Sequence, residues 1–226
     1  MQPLSADEIY ATARAVIYHL DTSGFAACLF GSAACAIYGM EARDPHDIDV
    51  IVLDTADPEY IKRLLYNKDQ RFLLRPSANP QNTYQVLYYQ LPRPPSDLHM
   101  RTCKVDILTP GIISIPNIPL ERIVYHETHH DIPVIPLLAL LLLKLRGWTD
   151  RRADSRPQVR EKATQDAVDI GYLLELVAAR MYEPHLLTET WMPRWFVDEG
   201  RERVQQFVQL WGGTASIWFD MGFDVY

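Results

Sequence analysis

Cysteine is scarce in this chain. Its 226 residues include only Cys28, Cys35 and Cys103. The number is odd and no Cys-x-x-Cys pair occurs, which argues against a disulfide framework or a structural zinc centre and fits a reducing cytoplasm. Positive charge is also short: the formal net charge is -7. A protein that coats nucleic acid with its whole surface would be basic. Long apolar runs are missing as well. The longest, Val134 to Leu143, contains Pro136 and ends at Lys144. A membrane span needs about 20 apolar residues, so this run reads as a buried helix and no membrane partner is expected. Met1 to Tyr10 has neither a basic n-region nor an apolar h-region, so no secretory leader is expected. There are no internal repeats and no low-complexity segments. A hydrophobic fraction of 48% with 23% charged residues suits a globular chain with a sizeable core, in one generous domain or two small ones.

Local signals place the elements. Ser5 and Glu8 form a capping-box pattern ahead of a helix over about Ala6 to Leu20, with Gly24 after it. Ala26 to Phe30 reads as a short strand, Gly31-Ser32 as a turn, and Ala33 to Tyr38 as a helix opening. Ile48 to Leu53 is continuous in apolar character apart from Asp49, as in a strand buried on both faces. Asp57-Pro58 starts a helix that runs to about Tyr66. Further strands are expected over Arg71 to Leu74, Thr83 to Leu91 and Arg101 to Leu108. The Pro/Gly-dense stretch Thr109 to Pro119 reads as a boundary. Beyond it lie a Leu-rich helix over about Leu137 to Trp148, a charged loop, a long helix over about Val159 to Arg180, and one or two more. The expected fold class is α/β (α+β): a mixed sheet flanked by helices over 1–110, then a helical domain over 119–226.

Charge is unevenly spread. Between Lys144 and Lys162, seven basic residues face three acids, on an otherwise acidic chain. Such a stretch suits either one compact anion or a solvated, salt-bridged helix face.

The chemistry concentrates in two segments. In Asp47-Ile48-Asp49-Val50, side chains alternate faces, so Asp47 and Asp49 point one way while Ile48 and Val50 enter the core. Two such carboxylates repel unless a cation joins them, and hard oxygen donors suit magnesium. In Lys104-Val105-Asp106-Ile107, Asp106 leaves the face opposite Val105 and Ile107. If the two strands pair, three acids converge. Such a triad serves phosphoryl and nucleotidyl transfer. Gly31-Ser32, between a strand and a helix, supplies backbone amides and a hydroxyl that suit terminal phosphates.

Gly31-Ser32, Asp47-Ile48-Asp49 and Asp106, in that order, resemble the nucleotidyltransferase superfamily built on the DNA polymerase β-like fold. With Arg43 ahead of the pair, the pattern is similar to the minimal nucleotidyltransferases, which include antibiotic adenylyltransferases and AbiEii-type toxin enzymes. The second half is similar too: Leu140 to Leu145 with Lys144, then Arg151-Arg152, then Lys162 and Asp166-Ala167-Val168-Asp169-Ile170. The resemblance covers roughly Ala26 to Val177. It implies a nucleotidyltransferase-type mixed sheet and a helical domain completing the cleft for nucleotide and acceptor. It also implies a Mg2+ (or Mn2+) ion on Asp47, Asp49 and Asp106, and a nucleoside triphosphate bound by Gly31, Ser32 and Lys144, with Asp166 or Asp169 orienting the lysine. Arg43 would touch the nucleotide or orient the loop ahead of the metal ligands.

The implied reaction moves a nucleoside monophosphate onto a hydroxyl of a small molecule, a protein or an RNA end, with Asp106 as general base. A nucleotide-binding or regulatory protein without turnover is the alternative, and a toxin-like enzyme acting on tRNA a third. Outside this constellation, His126, His129, His130 and Asp131 read as a surface loop. Cys28 and Cys35 read as small core residues, and Tyr84, Tyr88 and Tyr89 as aromatic strand packing.

Overall fold

The structure, a computed structural model, describes residues 3–40, 45–54, 56–79, 81–92, 100–180 and 190–225. The chain divides into two compact units, Met1–Ile113 with Pro119–Ile135, and Ser114–Ile118 with Pro136–Tyr226.

The first unit is built on a seven-stranded mixed sheet. Its strands are β1 (Ala27–Phe30), β2 (Asp47–Val52), β3 (Phe72–Pro76), β4 (Gln85–Gln90), β5 (Thr102–Leu108), β6 (Val124–Tyr125) and β7 (Pro133–Val134), in the order β3-β4-β5-β2-β1-β7-β6. The β2–β5 and β1–β7 pairs are parallel and the others antiparallel. Helix α1 (Ala6–Asp21) starts at a complete capping box: the Ser5 amide donates to Glu8 Oε2 at 2.8 Å, and the Glu8 amide to Ser5 Oγ at 3.3 Å. Its apolar stripe of Ile9, Ala13, Val16 and Leu20 is fully buried, and it packs against β1, β2 and β5. Glu8 also accepts from Arg101 Nη1 at 2.5 Å, which ties the first turn of α1 to the residue just ahead of β5. Helix α2 (Gly31–Ile37) follows β1 directly. Helix α3 (Pro58–Lys68), with Asp57 capping the Glu59 amide and Pro58 in its first turn, packs against β3 and β5.

The mixed sheet with flanking helices is the expected class, and four details differ from the sequence reading. Strand β2 begins at Asp47, so both acids lie within the strand. Helix α2 takes in Gly31 and Ser32, which were expected to form a turn. Residues 119–135 group with the sheet, because β7 pairs with β1 and carries β6 on its outer side. The apolar run from Val134 is divided: Val134 closes β7, and Pro136 precedes a helix.

That helix, α4 (Leu137–Ala153), opens the second unit. It is followed by α5 (Pro157–Arg160), α6 (Lys162–Arg180), α7 (Arg194–Leu210) and α8 (Ala215–Asp220). The helix expected over Val159 to Arg180 is thus two helices that meet at Glu161, the first started by Pro157. Leucines on every side of α4 are buried, and α4 packs on α6 and α7. A Cβ built on Gly200 of α7 would lie 3.1 Å from Leu142 Cδ2, so the glycine permits a close helix crossing. Trp148 and Phe207 meet edge to face at 4.9 Å, with Trp218 also fully buried.

Candidate active site

Strand pairing builds the acidic cluster. Along the parallel β2–β5 pair, Asp47 lies opposite Lys104 and Asp49 opposite Asp106. Neighbouring strands run about 4.8 Å apart and paired residues share a face. Asp47, Asp49, Lys104 and Asp106 therefore stand on one side of the sheet, all partly exposed. Ile48, Val50, Val105 and Ile107 are buried on the other.

Gly31 comes next to this cluster because β1 pairs antiparallel with β2 and sets Phe30 opposite Asp49. The glycine has φ +67°, and a Cβ built on it would lie 2.0 Å from Asp49 Oδ2 and 2.9 Å from Cγ. No L side chain fits there, both for lack of space and because the left-handed region disfavours a Cβ. The backbone of Gly31 thus touches the Asp49 carboxylate. Ser32 follows it, nearly buried, in the first turn of α2. That helix is too short for its dipole to contribute much. What it offers is the individual amides of its first turn, which have no partner within a helix.

Lys104 is the residue the sequence reading missed. Its ammonium forms a short ion pair with Asp106 Oδ2, both side chains being about one-third exposed, at 38% and 36%. Burial alone works against the ammonium. The hydrogen bond to Asp106 and the charges of Asp106, Asp47 and Asp49 outweigh it, and the Lys104 pKa is raised. The signal was available: Lys104 precedes Asp106 by two residues, and the alternation that places one acid on this face places the lysine there too.

The donor chemistry of Asp47, Asp49 and Asp106 fits a hard divalent cation, and the register sets all three on one face. As the side chains stand, Asp106 is turned to Lys104. Among the described residues, no group of three or more His, Cys, Asp or Glu is gathered so as to hold a metal ion. Closure around a cation would therefore require these side chains to move, with Lys104 competing for the Asp106 carboxylate.

The candidates in the helical unit sit in ion pairs. Lys144 Nζ donates to Asp169 Oδ2 at 2.8 Å, and Gln165 Nε2 to Asp169 Oδ1 at 3.0 Å; Asp169 is fully buried. The lysine is therefore paired with Asp169, while Asp166 accepts from Arg151. Arg43 lies outside the described residues.

The remaining candidates serve packing. His129 packs on Tyr10 with tilted rings whose centres are 4.2 Å apart, His126 bonds to Thr128, and Asp131 pairs with Arg14. Tyr89 packs on Phe72 at 5.0 Å, and Arg75 covers Tyr88 at 4.8 Å. All three cysteines are buried, which raises the Cys28 thiol and pushes Cys103 up to about 12. Two clefts on the sheet unit, of about 660 and 930 Å³, share Arg14 and Tyr18 and do not include the acids. No helix among the described residues is long and apolar enough to cross a membrane.

Solved structures resemble the whole chain. A nucleotidyltransferase-like antigenic protein from Paracoccidioides brasiliensis superposes with a TM-score of 0.68 at 16% identity, over 99% of this chain and 96% of that one. This chain has the nucleotidyltransferase-like fold. JHP933 from Helicobacter pylori matches at a TM-score of 0.52 and 13% identity, over 96% of this chain and 81% of that one. Another H. pylori protein, assigned as a nucleotidyltransferase, matches at 0.50 and 14%, over 96% and 83%. No protein-family model and no curated protein sequence matches the chain. At such identities the nucleotidyltransferase-like fold is common ground, while substrates have to be argued from the site.

Proposed function

We propose that the chain is a magnesium-dependent nucleotidyltransferase that moves a nucleoside monophosphate from a triphosphate to a hydroxyl acceptor. The observation that carries this reading is the β2–β5 register, which sets Asp49 beside Asp106 with Asp47 on the same face and the Gly31 backbone against Asp49. Asp47, Asp49 and Asp106 would hold the cation. When bound, Mg2+ (or Mn2+) supplies neutralisation of the phosphate charge that grows in the transition state.

The protein's own part is placement. Gly31 lets the triphosphate approach the main chain, and the amides and Ser32 hydroxyl of the first turn of α2 suit its terminal phosphates. The acceptor oxygen attacks the α-phosphorus, the bond to the bridging oxygen breaks, and pyrophosphate leaves. The hydroxyl proton passes to Asp106, once that carboxylate is released from Lys104. These steps are written with residues of the sheet unit; in the helical unit Lys144 is held by Asp169, one of the two acids expected to orient it, and Asp166 by Arg151.

The test is calorimetric binding of the four nucleoside triphosphates with Mg2+, followed by transfer from the α-labelled form of the tightest binder. Asp49→Asn is expected to keep the fold and abolish transfer; unchanged transfer in that variant would refute the assignment. The Lys104–Asp106 pair gives a second reading some weight, that of a nucleotide-binding protein without turnover, because one carboxylate already has a cationic partner. Nucleotide binding with no pyrophosphate release would favour it.

A further inference from the structure

We propose that Lys104 is a built-in counter-ion of the three-carboxylate face, and that an incoming divalent cation must displace its ammonium from Asp106. The inference rests on the metal-site reading above and adds a competitor to it. Three carboxylates on one sheet face repel one another, and such a cluster would destabilise the fold if nothing neutralised it. Lys104 stands opposite Asp47 in the strand register and bonds Asp106, so its single charge lies between two of the acids and adjoins the third. The ammonium and a divalent cation both require the oxygens of Asp106. They compete for them: Oδ2 is engaged by Lys104, and a metal on the same carboxylate would bring two cationic centres within a few ångströms of each other, a repulsion that release of the ammonium relieves.

The consequence is a trade between stability without metal and affinity for it. Lys104 offsets one of the three negative charges before a cation arrives, and it weakens the first cation to bind. It also makes binding selective. A weakly held monovalent ion gains too little to dislodge the lysine, whereas a doubly charged ion, or one carried in by a triphosphate, gains more. Lys104 acts here as a positioning residue, since it sets where the Asp106 carboxylate points.

The experiment titrates Mn2+ alone into the full chain and reads bound metal by electron paramagnetic resonance, with no turnover required. Wild type, Lys104→Met, Lys104→Arg and Asp49→Asn are compared. Lys104→Met is expected to bind Mn2+ about tenfold tighter or more, the size of change expected when one unit charge is removed within a few ångströms of a partly exposed site. Lys104→Arg keeps the charge and should bind like wild type. In chelator, Lys104→Met should unfold at a lower temperature than wild type, and Mn2+ should raise its Tm by more. Should Lys104→Met fail to fold, Lys104→Gln retains a hydrogen-bond donor without the charge and carries the same expectation.

Equal or weaker Mn2+ binding in the charge-removed variants, with Asp49→Asn abolishing it, would overturn the counter-ion role and leave the metal site standing. Absence of binding in every variant, or binding that Asp49→Asn does not alter, would overturn the metal-site reading and this inference together.

Discussion

Gly31→Ala is the substitution that bears most sharply on the site. Two penalties apply at that position and can be separated. The first is conformational: at φ +67° an L residue costs about 1–2 kcal/mol. The second is steric. The new Cβ would fall 2.0 Å from Asp49 Oδ2, against the 3.4 Å or more of an ordinary contact, so the Asp49 carboxylate has to swing away. Gly24 provides the control, since it sits at φ +82° with nothing within 4 Å of its would-be Cβ. Gly24→Ala should therefore lose only the conformational part, about 1–2 kcal/mol in urea unfolding. Gly31→Ala should lose that and more, and it alone should lose Mn2+ binding. Adding Asp49→Ala to Gly31→Ala removes the obstructing carboxylate, so the double variant should be more stable than the sum of the single losses predicts. Equal losses at the two glycines, with Mn2+ binding intact in Gly31→Ala, would refute the close approach of the Gly31 backbone to Asp49.

The ion pair in the helical unit makes a second prediction. Lys144→Met leaves the fully buried Asp169 carboxylate without its ammonium and should cost about 3–5 kcal/mol in denaturant unfolding, whereas Lys144→Met with Asp169→Leu should recover much of it. A loss below about 1 kcal/mol would contradict the burial of that pair. Acid stability supplies a third prediction. Hydrogen bonds from Arg71 hold the Asp69 carboxyl at about 2, below its ordinary range. A group with a lowered folded pKa contributes stability above its unfolded value, and that contribution is lost as pH falls toward 2. Asp69→Asn should therefore flatten the part of the stability–pH curve between about pH 4 and 2, and an unchanged curve would count against the Asp69–Arg71 contact. Packing in the helical core supplies a fourth: Phe207→Ala, beside Trp148 and Trp218, should cost about 3–5 kcal/mol in the same unfolding assay.

Much of the sheet unit was legible because its signals are local and strict. Alternation in Asp47-Ile48-Asp49-Val50 and Val105-Asp106-Ile107 separated core from cluster; the glycine directly after an apolar strand reads as room for a phosphate, and the neighbour that the structure sets against it is the Asp49 carboxylate. Pairing of β2 with β5 could only be stated as a condition, since register between strands more than 50 residues apart is settled by packing. The two-residue strands β6 and β7 are too short for any periodicity to show, which is why residues 119–135 read as part of the helical half. Lys104 went unnoticed for a different reason. A lysine at a strand position ordinarily reads as a solvated side chain; alternation puts it on the Asp106 face, and the register opposite Asp47 adds the second carboxylate. In α6, a helix carrying Lys162, Asp166 and Asp169 offers several pairings at helical spacing, and tertiary contact with α4 chose Arg151 for Asp166 and Lys144 for Asp169.

The most direct measurement is a crystal structure of the full chain grown with Mn2+ and a non-hydrolysable nucleoside triphosphate, read through the anomalous signal of the metal. The account predicts a peak coordinated by carboxylate oxygens of Asp47, Asp49 and Asp106, with Lys104 no longer bonded to Asp106 and the phosphates beside Gly31 and Ser32. A peak held by other residues, or nucleotide bound with Asp106 still closed on Lys104 and no metal at the acids, would contradict it.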